Sequence, residues 1–494
     1  MTVDISGAGS KNTVKIFANI FISFIGAGVL GLPYAFKEAG LLEGIIVMTT
    51  VGAISVKAML LLIDCKYKLI EKQPKLRVDK TTPKKTATNG KNGSLVVKID
   101  GEPGLLEEKE DLLSGVNFEE PSIPEAPGKE LTYGDVGYFA LGTTGRLLVE
   151  WSIVVSQIGF CCAYLIFITE NLMDYIPGIK KWHLLLILLP PLGALTLLRH
   201  LNSLALSSLF AQCSNLLAFG VVFWFDFEHF ARVKIHPKNV SIIGLPFFIA
   251  VAIYCYEGAG MILSLEASVD KSKRHLFKLY FKLTMIVVTL LYVLFGSCGY
   301  LSFGPETNPI ITLNLPKGRG LDFAVMVKSC LCLALFFTYP VMMFPVVHLL
   351  EVKLLRAPYE SVWLGNLLRF VLVIMTGIVV MVIPNFANLM ALVGASCCTL
   401  LAFILPGLFH LSIYKGSLSK WQTTVDITLI LIGVLGTVIG VVDALKRLNG
   451  FSSGDVHIHE EFLTSNYTMI PTTRQTTTIP YSSVTTATFT PSTT

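Results

Sequence analysis

The feature that most constrains this chain is its succession of apolar runs, each close to the length of about 20 residues that a membrane-spanning helix needs. Eleven such runs are expected, at roughly 14–36, 43–65, 146–172, 182–199, 203–225, 242–265, 276–301, 321–350, 361–384, 386–412 and 421–443. With 53% hydrophobic residues, 15% charged residues and a mean hydropathy of +0.64 over 494 residues, the chain holds more apolar surface than a soluble core could bury. The expected fold class is an all-α polytopic membrane protein. A formal charge of +5, carried mostly in connecting segments, is too small to suggest a nucleic-acid partner. The ten cysteines sit in or beside apolar runs, without CxxC spacing, and read as small buried hydrophobes, with no metal site and no cofactor implied. No G-x-S-x-G, H-E-x-x-H or P-loop pattern occurs, so nothing points to an enzyme.

An odd number of spans puts the termini on opposite faces. The start, MTVDISGAGSKNTVK, lacks the layout of a signal peptide, so the first span is expected to direct insertion with the N-terminus cytosolic. KYKLIEKQPK, LLRHLN, DKSKRHLFK, EVKLLRAPYE and IYKGSLSKW then fall on the cytosolic side, each with Lys or Arg, although some basic residues lie on the other face. Residues 1–65 hold the N-terminus and two spans. Residues 66–130, rich in Lys, Glu, Pro, Thr and Gly, read as a disordered cytosolic linker. Residues 131–443 hold spans three to eleven, and 444–494 end in an extracytosolic Thr/Ser/Pro-rich tail. Asn239 and Asn466 open N-glycosylation sequons on the expected outer face, whereas Asn92 opens one in the linker.

Two spans are interrupted by glycine. The first contains FIGAGVLGLPYAF, with Gly26-Ala27-Gly28 and then Pro33, and the sixth contains YCYEGAGMILSLE, with Gly258-Ala259-Gly260. Close packing between helices is one explanation, because small residues permit it. The other is a broken helix. Spans one and six open the two halves of a five-plus-five inverted repeat, where broken helices build solute sites, with span eleven outside the repeat. Freed N–H groups at a half-helix N-terminus would hold a carboxylate, and freed carbonyls an ammonium group. Pro33 would begin the second half-helix without losing a hydrogen bond.

Glu257 adjoins the second break, where an ionisable group is costly and a functional candidate. Three roles are open to it: bracing the broken helix, carrying a coupled proton, or meeting the solute's ammonium. Glu266, nine residues further on, is expected at a solvated helix end. In the third span, Gln157 and Tyr164 share a helix face and could contact the solute or simply pack. Pro340 and Pro345 would kink span eight. Lys57, Asp64, Lys328 and His348, nearer span ends, are expected to snorkel.

These segments, KIFANIFISFIGAGVLGLPYAFKEAG, LTYGDVGYFALGTTGRLLVEW, SQIGFCCAYLIFITENL and YCYEGAGMILSLE, resemble the amino acid/auxin permease family, nearest to its proton-coupled and vacuolar amino acid transporter branches. The resemblance covers about 12–65 and 130–445. It implies eleven spans on a five-plus-five scaffold and secondary transport of amino acids. The solute would be held around Gly26, Ala27 and Gly28 and around Tyr256 and Gly258. In the proton-coupled branch a histidine stands in the first half-helix where this chain has Asn19, which sets it apart from that branch's proton coupling.

The expected function is secondary active transport of small neutral amino acids by alternating access, with a proton as candidate coupling ion. The expected location is a vacuolar or endolysosomal membrane, with the plasma membrane as alternative. A receptor that senses amino acids and signals through the linker is the competing reading.

Overall fold

A computed structural model of the chain describes residues 12–81, 130–176, 178–198, most of 213–225, 238–315, 323–354 and 362–449. The linker beyond residue 81, the C-terminal tail, Asn92 and Asn466 therefore lie outside the described residues. Within them the fold is helical. Seven helices are long and apolar enough to cross a membrane, and Thr13–Phe24 with Ala27–Ala39 forms one further span bent by 49°. Lys181–Thr196 and Leu245–Cys255 are shorter apolar helices. Together they account for the expected spans other than the fifth, of which only parts of 213–225 are described, as helix.

In chain order the helices are α1 (Thr13–Phe24), a 3₁₀ segment Ala27–Gly31, α2 (Leu32–Ala39), α3 (Leu41–Thr81), α4 (Tyr133–Tyr175), α5 (Lys181–Thr196), α6 (Leu245–Cys255), α7 (Ile262–Ala267), α8 (Phe277–Phe303), α9 (Phe323–Leu354), α10 (Val362–Val382), α11 (Phe386–Val393), α12 (Leu405–Ile413) and α13 (Lys420–Leu448). Spans one and six are thus each two helices with a break between them. Span ten is also composite, because π-helical turns over Gly394–Cys398 and Leu400–Ile404 join α11 to α12.

Local sequence explains several of these boundaries. Asn12 caps α1 through its side chain, which accepts from the Val14 N–H, and a Thr132/Asp135 capping box starts α4. Within α4 the helix turns at Leu141 and at Gly142, whose φ of +67° suits glycine, so a short helix precedes the third span. Helix α3 runs past residue 65, so the near end of the 66–130 segment is helical.

Ile16, Phe24, Val29, Phe36, Phe167, Phe248, Tyr256 and Met390 are among the residues that build the buried interior, which draws on spans one, three, six and ten. At its centre the backbones nearly touch: a Cβ on Gly394 of span ten would lie 2.0 Å from the Ala250 carbonyl oxygen of span six. Span eleven packs on this body through Gly433 and Gly440 and presents Leu431, Leu435 and Val438 outward, as expected of a lipid-facing surface.

Candidate functional site: two helix breaks in the bundle core

In span one, α1 stops at Phe24, Ile25 and Gly26 are extended, and the helix resumes at Ala27. The first N–H groups of a resumed helix have no intrahelical acceptor. Pro33 stands in the first turn of α2, where its missing N–H costs nothing. Gly26 has open space at its Cβ position, with no heavy atom within 4 Å. Gly28 differs, because a Cβ there would sit 3.0 Å from the Tyr254 ring and 3.3 Å from Cys255 Sγ. Of the two glycines expected at the solute, Gly26 borders space and Gly28 borders span six.

In span six, α6 ends at Cys255 and α7 begins at Ile262. The half-buried Glu257 turns back on this break, where the Ala259 N–H donates to its Oε2 at 3.1 Å. A donor freed by the break is therefore met by a side chain of the same segment. Tyr256 is 1% exposed, and its hydroxyl bonds Thr289 Oγ1 of span seven at 2.9 Å. Its phenol is engaged with spans two and seven, directly over Gly52. What remains for a solute there is its backbone.

The breaks pack reciprocally. Gly28 meets Tyr254, four residues before Gly258, while Gly258 meets Phe24, four residues before Gly28, with the ring 2.4 Å from a Cβ position. Tyr292 of span seven joins them. Its hydroxyl lies 2.5 Å from the Phe24 carbonyl oxygen and 3.1 Å from that of Cys255, the last residues of α1 and α6. These carbonyls have lost their helical partners, and the phenol meets them inside the protein.

Span three closes the other side. Phe160 stacks edge-on against Tyr254 with centroids 4.9 Å apart, and Ile153 lies 3.7 Å from the Cβ position of Gly260. Gln157, one turn from Ile153 on that face, keeps its Oε1 buried with no hydrogen-bond partner. Tyr164 is buried beyond it, near Tyr254. Asn19 is half-buried in α1, and its carbonyl accepts from Ser23.

A profile of the family described as "Transmembrane amino acid transporter protein" matches residues 9–97 and 123–446. The chain belongs to this family. Amino acid transporter ANT1 of Arabidopsis thaliana is 31% identical over 464 residues, which cover 89% of this chain and 94% of ANT1. Amino acid transporter AVT3C of the same plant is 33% identical over 475 residues, covering 90% and 92%. Among solved structures, the inward-facing conformation of Mhp1 superposes with a TM-score of 0.53 at 13% identity, covering 90% of this chain and 91% of that one. The chain is accordingly an amino acid transporter, not an enzyme, on a five-plus-five inverted-repeat fold whose first and sixth helices are broken.

In this amino acid transporter, span six continues below its break to a charged cluster. Glu266 is fully buried, contrary to the solvated end expected for it. Lys66 Nζ bonds it at 2.6 Å and Tyr67 Oη donates to it at 2.6 Å. Lys66 also pairs with Glu130 at 2.8 Å, and Arg274 pairs with Glu130 at 2.8 Å. Burial tends to raise the Glu130 pKa, but the bonds from Lys66 and Arg274 outweigh it and hold the carboxyl below its ordinary range. Lys328, expected to snorkel, is instead 1% exposed and paired with Asp174 at 3.0 Å. Tyr292 and Lys66 are the residues that sequence reasoning missed; neither belongs to a glycine-rich segment, and only the packing of distant spans brings Tyr292 to the breaks and Lys66 to Glu266.

Proposed function

We propose that the chain is a secondary active transporter of small neutral amino acids that works by alternating access. The observation that carries this reading is the asymmetry of the breaks: span one leaves backbone donors beside the open space at Gly26, while span six meets the Ala259 donor with Glu257. The solute's carboxylate would lie on the N–H groups of Ala27 and Gly28, and its ammonium near the Tyr256–Gly258 backbone and the unpaired Gln157 Oε1. Tyr164 would limit the side-chain end of the site. Glu257 acts as a brace, so a coupled proton, the candidate ion, would be carried elsewhere.

The N-terminus would face the cytosol, with the C-terminal tail on the luminal or extracellular side, in a vacuolar or endolysosomal membrane ahead of the plasma membrane. Asn239 is exposed in the loop before span six, so it and Asn466 would carry glycan while Asn92 would not. A glycosidase shift that needs only Asn92 would reverse this orientation.

One observation favours the sensing alternative: Lys66 and Glu130, the two ends of the linker, bond each other at 2.8 Å beside the inner end of span six. Occupancy of the break could thereby reach the linker. Uptake of a labelled amino-acid panel into proteoliposomes, first with a pH gradient and then with a sodium gradient, tests the transport reading. Concentrative uptake of small neutral amino acids supports it. Saturable binding without flux, or flux confined to charged amino acids, overturns it.

A further inference from the structure

A second cavity lies well away from the breaks, at the end of the bundle where α3 leaves the membrane and α8 enters it. Its volume is about 410 Å³, within the ~300–1,000 Å³ typical of small-molecule pockets. Lys271, Arg274, His275 and Lys278 line it with Tyr67, and no acidic residue is among its lining. Lys278 pairs with Asp64, and Arg274 is held by Glu130 and Glu266. Both cations are thereby positioned rather than free to follow solvent. Lys271 and His275 are exposed.

The helix that carries most of the cavity's cations continues into an exposed apolar surface. Below His275, Leu279, Leu283, Ile286 and Leu290 of α8 are 52%, 47%, 65% and 58% exposed, at three- and four-residue spacing, forming one apolar stripe. Tyr67 of α3, which lines the cavity, is 38% exposed, and Ile70, three residues further along the same helix, is 42% exposed. The Tyr67 ring adds an exposed aromatic surface here, while its hydroxyl is turned inward to Glu266. A molecule that placed a strongly anionic head among the four basic side chains would run its tails along a surface already made for hydrocarbon.

We propose that this cavity binds the phosphorylated headgroup of an anionic membrane lipid, one bearing a phosphate monoester of the phosphoinositide class. Arginine and lysine recognise phosphate oxygens through charge-assisted hydrogen bonds, and polybasic segments at a membrane surface gain further from the negative potential of the leaflet. Because Arg274 also bonds the Ala267 carbonyl at the end of α7, the bound headgroup would touch the residue that anchors the inner half of span six. The site does not depend on which amino acid is carried.

The chemistry shared with a free inositol phosphate is the phosphate monoester, and the experiment separates the two. Thermal unfolding of the purified full-length protein is followed with dioctanoyl phosphatidylinositol 4,5-bisphosphate, dioctanoyl phosphatidylserine or inositol trisphosphate. The phosphoinositide is expected to bind at least about tenfold more tightly than the other two, shifting the melting temperature in proportion to the logarithm of its concentration. Lys271→Glu combined with His275→Glu should weaken it at least about fivefold, and Lys420→Glu, an exposed cation elsewhere, should leave it within about twofold. Equal stabilisation by inositol trisphosphate would reassign the cavity to a soluble phosphate, and an unchanged affinity in the double variant would remove the cavity from the account. If the double variant does not fold, wild-type affinity that fails to drop between about 0.1 and 0.5 M salt overturns the proposal instead.

Discussion

The two breaks begin from nearly the same letters, Gly26-Ala27-Gly28 and Gly258-Ala259-Gly260, yet they are stabilised in different ways. In span six the liberated Ala259 N–H is met by Glu257, and the aromatic residues around it are engaged: Tyr256 with Thr289, and Tyr254 with Phe160. In span one no side chain of the break can accept a hydrogen bond, and the space beside Gly26 is open. On the proposed function, the break that caps itself is the wall of the site, and the one that leaves donors uncapped is where the solute's carboxylate would be met. Reciprocal packing of Gly28 on Tyr254 and Gly258 on Phe24, with Tyr292 between the two helix ends, keeps wall and site in register.

The largest effect is expected where the wall is tightest. Gly258→Leu would drive carbon into the Phe24 ring, already 2.4 Å from a Cβ position, and should cost about 3 kcal/mol, the upper end of overpacking costs, or abolish folding. Fluorescence-detected size exclusion before and after heating checks this, and a well-folded variant of wild-type stability would mean that the breaks do not pack as described.

Glu257→Gln sharpens the contrast next. An amide retains an acceptor but loses the charge-assisted bond from Ala259, so both net uptake and exchange of labelled for unlabelled amino acid should fall. Stability should drop by about 1–3 kcal/mol for the poorly satisfied donor. A variant that keeps exchange and loses only pH-driven accumulation would show Glu257 to be a proton carrier rather than a brace.

The smallest effect lies at the Glu266 end of span six. Glu130 has a folded pKa below its unfolded value of about 4.3, so its contribution is full above that pH and is lost as pH falls through the lower folded value. Its side chain is 40% exposed, which limits the contribution to under about 1 kcal/mol. The melting temperature of Glu130→Gln should therefore lie slightly below wild type near neutral pH, with the gap closing below about pH 4. A gap that widens in acid would contradict the ion pairs assigned to Glu130.

Much of this was legible in the sequence because bilayer physics leaves few alternatives. A run of some twenty apolar residues must be a helix, and Gly-Ala-Gly followed by Pro33 inside one marks where the helix is broken. Which face each glycine presents was not legible: Gly26 and Gly28 are two residues apart, and only the crossing of span one over span six decides that Gly28 meets Tyr254 while Gly26 meets space. Glu266 looked like a residue at a wet helix end because its partner, Lys66, is 200 positions away and seemed to begin a linker. The π-helical turns of span ten likewise begin at a close approach, Gly394 on Ala250, that no local pattern announces.

The most direct test of the asymmetry is Gly26→Leu. The side chain would enter the open space beside the uncapped donors of span one without meeting span six at its Cβ. The variant should melt within about 1 kcal/mol of wild type and take up no labelled small neutral amino acid in proteoliposomes. Normal uptake by well-folded Gly26→Leu protein would contradict the asymmetry.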